Sequence, residues 1–267
     1  GLLLDERDDV TYPDGVQGED GTIYTLTHAV RSEPLANWDH LLYPIVEEFV
    51  TVVSPDGKRV KSLSLLDMLG RSPFHVPLLS HADQLGDVLH SNTVHVIGEA
   101  FASHHAEVNA GDLMICLRNL NLVMVVRPQA EEIVWATTGP WRMPHDPDPL
   151  ENGNILIFDN CFARGGLQGS RVVEFNPRTG SLAWEHAGGD TSPLRSDIRS
   201  CQQLLAGGNV LITESDRGRL LEVSRDGDIV WEFIHPVRGG EDDSLIPVVS
   251  GGRRYAHSEL PFLDAQN

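Results

Sequence analysis

The chain is predicted to be all-β, a β-propeller of four-stranded blades. Three observations predict this. First, one strand pattern recurs: Gly111-Asp-Leu-Met-Ile-Cys-Leu117, Asn152-Gly-Asn-Ile-Leu-Ile-Phe158 and Gly207-Gly-Asn-Val-Leu-Ile-Thr213 each lead into a second and a third apolar strand. Second, each copy ends on a tryptophan, Trp135, Trp184 and Trp231, at a nearly constant spacing that suits a blade period. Third, Gly, Asp, Asn and Pro punctuate the strands at matching offsets, as tight turns demand. A sandwich or solenoid has no reason to repeat the tryptophan and the Asp-Gly turn in register.

The elements follow in order. A weaker first copy runs through Gly21–Leu26, Glu48–Val53 and the turn Ser54-Pro-Asp-Gly57. Ser64–Gly70 has the apolar pattern of a short helix between blades, and Ser72–Gly86 reads as a loop. The clearest blade repeats span 87–136, 145–187 and 200–235. Asn92–Ile97 and Cys201–Leu205 sit where the innermost strand of a blade belongs. In the middle copy, His145–Glu151 reads as a polar loop, Asn152-Gly-Asn154 as a turn, and Ile155–Phe158 as a buried strand. Ile246–Val249 is a further strand candidate. No flexible linker interrupts the chain, so residues 1–267 are read as one propeller domain.

The 267 residues are enough for a sizeable core. The net charge of −19 argues against nucleic acid, whose binding depends on neutralising phosphates, and against an anionic membrane surface. No apolar run approaches the length of a membrane span. The chain starts at Gly1, as a processed or expressed fragment would, and Gly1–Leu4 is too short for a signal peptide. Cys116, Cys161 and Cys201 form no CxxC pair, which argues against a zinc framework and allows either one disulfide or three thiols.

Aligning the copies isolates the candidate site. The middle copy carries an insertion, Asn160–Gly169, containing Arg164 between glycines; a Gly-rich excursion within a blade is costly unless it has a role. His145 lies eight residues before the turn glycine Gly153. Ser200, beside Arg199, holds the same place in the third copy, and His90 leads the corresponding strand of the first. Innermost strands line a propeller channel, so His90, His145 and Arg199 are expected to meet at one mouth with Arg164. Imidazoles and guanidiniums on an acidic protein suit an oxyanion such as sulfate, phosphate or carboxylate. The blander alternative makes His145-Asp146 a hydrogen-bonded lock between blades.

The ordered series Asp87-Val-Leu-His-Ser-Asn92, Gly111–Asn119, His145-Asp-Pro through Phe158-Asp-Asn160, Ser170–Glu174 and Gly218–Glu232 resembles the bacterial arylsulfotransferases, the type that does not use a nucleotide sulfate donor. That resemblance implies a six-bladed propeller in the periplasm or otherwise outside the cytoplasm. It implies transfer of a sulfuryl group from a phenolic sulfate ester to a phenol through a sulfated histidine, with no metal or organic cofactor and no partner beyond those small molecules. By motif it assigns His90, His145 and Arg164 to catalysis. Asn92, Arg118, Asp159, Asn160 and Arg199 are the expected substrate contacts. The family's nucleophilic histidine comes from a later blade. The later histidines here are His186, His235 and His257, none in a matching motif.

Two other functions compete with sulfuryl transfer. One is a non-catalytic propeller that binds a ligand or a protein. The other is a metal- or quinone-dependent propeller enzyme, for which His95, His104, His105 and Glu107 are the cluster to consider. His104 and His105 are adjacent and read more simply as a solvated loop. The tryptophans read as packing residues and Arg253-Arg254 as surface.

Overall fold

The computed structural model describes residues 9–74, 86–164, 167–189, 192–260 and 262, without the side chains of 9–14 and 162–168. Four antiparallel four-stranded sheets dominate it. The first holds β1 (Asp9–Gln17), β2 (Ile23–Arg31), β3 (Ile45–Val53) and β4 (Arg59–Ser64); the second β5 (Ser91–Val96), β6 (Leu113–Leu117), β7 (Leu122–Arg127) and β8 (Glu132–Thr138). The third holds β9 (His145–Pro149), β10 (Ile155–Arg164), β11 (Leu167–Asn176) and β12 (Ser181–His186). A two-stranded ribbon, β13 (Gly188–Gly189) and β14 (Ser192–Pro193), leads to the fourth, with β15 (Cys201–Leu204), β16 (Val210–Glu214), β17 (Arg219–Val223) and β18 (Ile229–Ile234). Strand order within each sheet follows the chain, and the first strands meet in succession: β1 on β5, β5 on β9, β9 on β15. These are the blades and inner strands of a β-propeller. The described residues form four blades, one for each copy of the repeat.

Three apolar clusters lie between successive blades. Leu26, Val50 and Val52 meet Leu113, Ile115 and Leu117 in the first. Met114, Val123 and Val125 meet Ile155 and Ile157 in the second, and Leu156, Phe158 and Val172 meet Val210 and Ile212 in the third. Successive residues of a strand face opposite sides, so Ile155 and Ile157 serve one interface and Leu156 and Phe158 the next. The run is apolar throughout because both faces of the blade are buried. The expected helix is present as α1 (Leu65–Arg71), with Ser64 as its N-cap accepting from the Asp67 N–H at 3.1 Å. A single turn, α2 (Glu99–Ala102), follows β5.

Several expectations are corrected here. His145–Pro149 is not a loop but the inner strand of its blade; its prolines are tolerated because one side of that strand faces the channel and pairs with nothing. The inserted Asn160–Gly169 is not a loop either. Its described residues, 160–164 and 167–169, extend β10 and β11, with Arg164 opposite Leu167, after a bulge between Asp159 and Phe162. Ile246–Val249 forms no strand. Of the expected loop 72–86, residues 75–85 lie outside the described residues. All three cysteines are free thiols.

One buried carboxyl ties the first two blades. Glu48 is 2 % exposed and accepts from the Ser91 N–H at 2.8 Å. Burial, aided by the charge of Asp87 and opposed by the Ser91 bond, pushes its pKa up to about 8, so it is protonated at neutrality. A folded pKa above the unfolded value stabilises fully below about pH 4.5 and loses that contribution as pH rises toward 8. Glu48→Gln keeps the acceptor and removes the ionisation of the unfolded chain. It is expected to raise stability by an amount growing from nothing near pH 4.5 to about 3 kcal/mol at pH 7. Urea unfolding of both proteins across that range checks this; parallel stability curves contradict it.

Candidate functional site

The inner strands enclose a cavity of ≈ 740 Å³, walled by β1, β5, β9, β15 and the C-terminal segment Ser250–Arg253. Backbone strain gathers on the segments that enter its inner strands. His90, Met143, Asp146, Arg199 and Ser200 all have φ between 51° and 75°, where non-glycine residues are rare and often functional.

His145 lies on the cavity wall and is 6 % exposed. Its Nδ1 sits 2.8 Å from Asn160 Oδ1 and 3.2 Å from the Met143 carbonyl oxygen. The Asn160 amide has one consistent orientation, because its Nδ2 donates to the carbonyls of Ser196 at 2.7 Å and Arg199 at 2.9 Å. Nδ1 therefore faces two acceptors and carries the proton, which leaves the lone pair on Nε2. Nε2 has no hydrogen bond among the described residues. Burial pushes the pKa of His145 down to about 4, against its bonds to Asn160 and Met143 and with help from the nearby charges of Arg118 and His90. The ring is a neutral, oriented imidazole with its basic nitrogen unspent.

The other expected site residues divide into three groups. His90, Arg118 and His145 share one neighbourhood. His90 donates from Nδ1 to Asp87 Oδ2 at 2.5 Å, and Arg118 donates to Asn119 Oδ1 at 3.0 Å and lies against the Met143 sulfur. Arg199 joins His145 on the cavity wall, exposed and without an ion pair among the described residues. The backbone of Arg164 ends β10, and its side chain lies outside the described residues.

The remaining three, Asn92, Asn160 and Asp159, have structural partners. Asn92 lines the cavity, but its amide donates to the Pro144 carbonyl at 2.8 Å and accepts from Thr93 Oγ1 at 2.9 Å, which positions the residue before His145. Asn160 is fully buried, and its Oδ1 faces His145 Nδ1. Asp159, 1 % exposed, faces the other side of β10, where Arg171 Nε donates to it at 2.9 Å and the Arg142 N–H at 2.9 Å. The same arrangement recurs in the next blade, where Glu214 accepts from Arg219 Nε and from the Arg195 N–H, each at 2.6 Å. Arg171 also reaches Glu185, and Arg219 reaches Glu232. Asp159 is thus half of a repeated lock between a blade and the chain leading into it.

Deeper in the cavity is a group that the spacing of the repeats did not isolate. Asp146 and Asp148 lie two apart on β9 and so face the same side. His95 Nε2 on β5 stands 3.3 Å from Asp146 Oδ1 and 3.5 Å from Asp148 Oδ1. Burial disfavours the His95 cation, yet the bond to Asp146 and the charges of both aspartates raise its pKa above the ordinary value. Burial and the neighbouring Asp146 charge hold Asp148 above the usual carboxylate range. Asp146 also joins blades: its N–H donates to Thr93 Oγ1 at 3.1 Å and its Oδ2 accepts from the Gln202 N–H at 3.2 Å. The expected lock therefore exists, but its members are Asp146 and the neighbouring blades, not His145 with Asp146. The cluster of His95 with His104, His105 and Glu107 does not form. His105 is buried, donating to the Gly153 carbonyl at 2.9 Å and packed at a tilt against the Phe101 ring. Arg253, read as surface, lines the cavity, while Arg254 pairs with Glu222 and covers Trp231, as Arg225 pairs with Glu174 and covers Trp184.

The blades thus present a neutral, oriented histidine and Arg199 to a common channel. The chain belongs to the arylsulfotransferase (ASST) family, whose pattern matches residues 17–236. No curated protein matches it significantly. Among solved structures it is similar to virginiamycin B lyase from Staphylococcus aureus, at 15 % identity and TM-score 0.45, covering 83 % of this chain and 55 % of that one. A protein of unknown function from Bacteroides caccae matches at 13 % identity and TM-score 0.46, covering 83 % and 66 %. The WD40 β-propeller domain of Doa1 matches at 11 % identity and TM-score 0.44, covering 82 % and 52 %. The chain thus spans between about half and two thirds of the length of these structures.

Proposed function

We propose that the chain transfers a sulfuryl group from a phenolic sulfate ester to a phenol, with His145 Nε2 as the nucleophile. One observation supports this reading: Nδ1–H of His145, a residue of the cavity wall, is held between two carbonyl oxygens, which fixes the tautomer and leaves Nε2 as the free base. Nε2 attacks sulfur in line, the aryl oxygen departs as a phenolate with the S–O electron pair, and an N–S bond forms. Positive charge develops on the ring, where the Asn160 and Met143 oxygens already point at Nδ1–H. An acceptor phenolate then attacks the same sulfur, and Nε2 leaves with the N–S pair, so no net proton is consumed.

Arg199, on the same wall, neutralises the sulfuryl oxygens. The family resemblance adds His90 and Arg164 to that task. It also supports a site of action outside the cytoplasm; among the described residues no helix is long and apolar enough to cross a membrane. A chromogenic aryl sulfate offered with a phenol acceptor tests the reading: acceptor-dependent release of the coloured phenolate is expected, and its absence under all donor and acceptor pairs tried counts against it.

A further inference from the structure

We propose that His95, Asp146 and Asp148 form a binding site for one divalent transition-metal ion on the cavity wall. His95 Nε2 and one oxygen from each aspartate all lie within 4.8 Å of one another. Donors on a single ion with bonds of about 2.1 Å stand about 3–4.2 Å apart, and the His95 separations of 3.3 and 3.5 Å fall in that range. The two carboxylates are presented for single-oxygen coordination. Both Oδ1 atoms face His95, whereas both Oδ2 atoms are held by Gln202, whose N–H donates to Asp146 at 3.2 Å and whose Nε2 donates to Asp148 at 3.3 Å. Outer partners that orient ligands in this way are characteristic of metal sites.

A second observation points the same way. Gln202 is 5 % exposed on the cavity wall, and its Oε1 is buried without a hydrogen-bond partner among the described residues. Its Nε2 donates to the backbone carbonyls of Asp146 and Leu156 as well as to Asp148, and its acceptor stays buried beside the group. The three ligands come from two inner strands, β5 and β9, and Gln202 from a third, β15, so the propeller itself sets the geometry. Each ligand side chain is about one-fifth exposed, which leaves open positions toward the cavity. Arg253 also faces the group. One imidazole with two carboxylates favours a first-row ion such as Zn²⁺, Mn²⁺ or Co²⁺ over calcium.

The site stands apart from the sulfuryl-transfer reading, and its test does not use turnover. The full chain, freed of metal with a chelator, is titrated with Zn²⁺ by calorimetry and with Co²⁺ by visible absorption. One ion per chain is expected, with a Co²⁺ spectrum showing nitrogen and oxygen ligation. Asp148→Asn and His95→Gln are each expected to weaken binding at least about tenfold, and His104→Gln, outside the cluster, to leave it unchanged. Thermal melts of each variant confirm that it is folded. Absence of binding, or equal affinity in Asp148→Asn, His95→Gln and the unaltered chain, overturns the proposal.

Discussion

His145→Gln is expected to lower aryl-sulfate turnover by about 10⁴-fold or more, the scale on which enzymes lose activity when their nucleophile is removed. The expectation follows from the hydrogen bonds of the ring. With Nδ1–H committed to Asn160 and Met143, the only reactive lone pair is on Nε2, and Gln supplies none. Steady-state kinetics with a saturating phenol acceptor measure the loss, and circular dichroism shows that the blade is intact. A variant that keeps a tenth of the activity moves the nucleophile elsewhere, to one of the later histidines.

The second large effect is on stability. Asp159→Ala is expected to cost about 3–5 kcal/mol while leaving the KM of any remaining activity unchanged. Burial raises the Asp159 carboxyl above its ordinary pKa, against the Arg142 N–H and Arg171, so desolvation outweighs what the ionised pair gains. Removing one member is a different matter. It takes the buried carboxylate from Arg171, which keeps the half-exposed Glu185 as an ion-pair partner, and strips the Arg142 N–H of its acceptor. Glu214→Ala in the next blade is expected to behave in the same way, since Arg219 and the Arg195 N–H depend on it. Urea unfolding gives the value. A loss below 1 kcal/mol together with a raised KM returns Asp159 to the substrate.

The blades were legible because their turns and apolar runs repeat, and each run is continuous because both of its faces are buried. The inner strand β9 was not. Asp146-Pro-Asp-Pro149 lacks strand-forming residues, and only its place beside the channel makes such a strand tenable. In a loop, the i, i+2 spacing of Asp146 and Asp148 carries no meaning, and His95, about fifty positions away, has no visible partner. The insertion misled for a related reason: glycines suggested a loop where two paired strands simply continue. Asp159 carried a signal that was overlooked. An acid at the end of the second strand and an arginine at the start of the third occur in both later copies, Asp159 with Arg171 and Glu214 with Arg219, which marks a structural pair. His145 and Arg199 were found by aligning the copies, because channel-facing positions are where otherwise equivalent blades differ.

The covalent intermediate tests the central claim most directly. The chain is mixed with an aryl sulfate without acceptor, quenched under alkaline conditions, digested and mapped by mass spectrometry. The expected result is one sulfuryl group on the peptide containing His145, lost when a phenol is added before the quench. Turnover with no sulfated histidine, or with the group on another residue, contradicts the assignment.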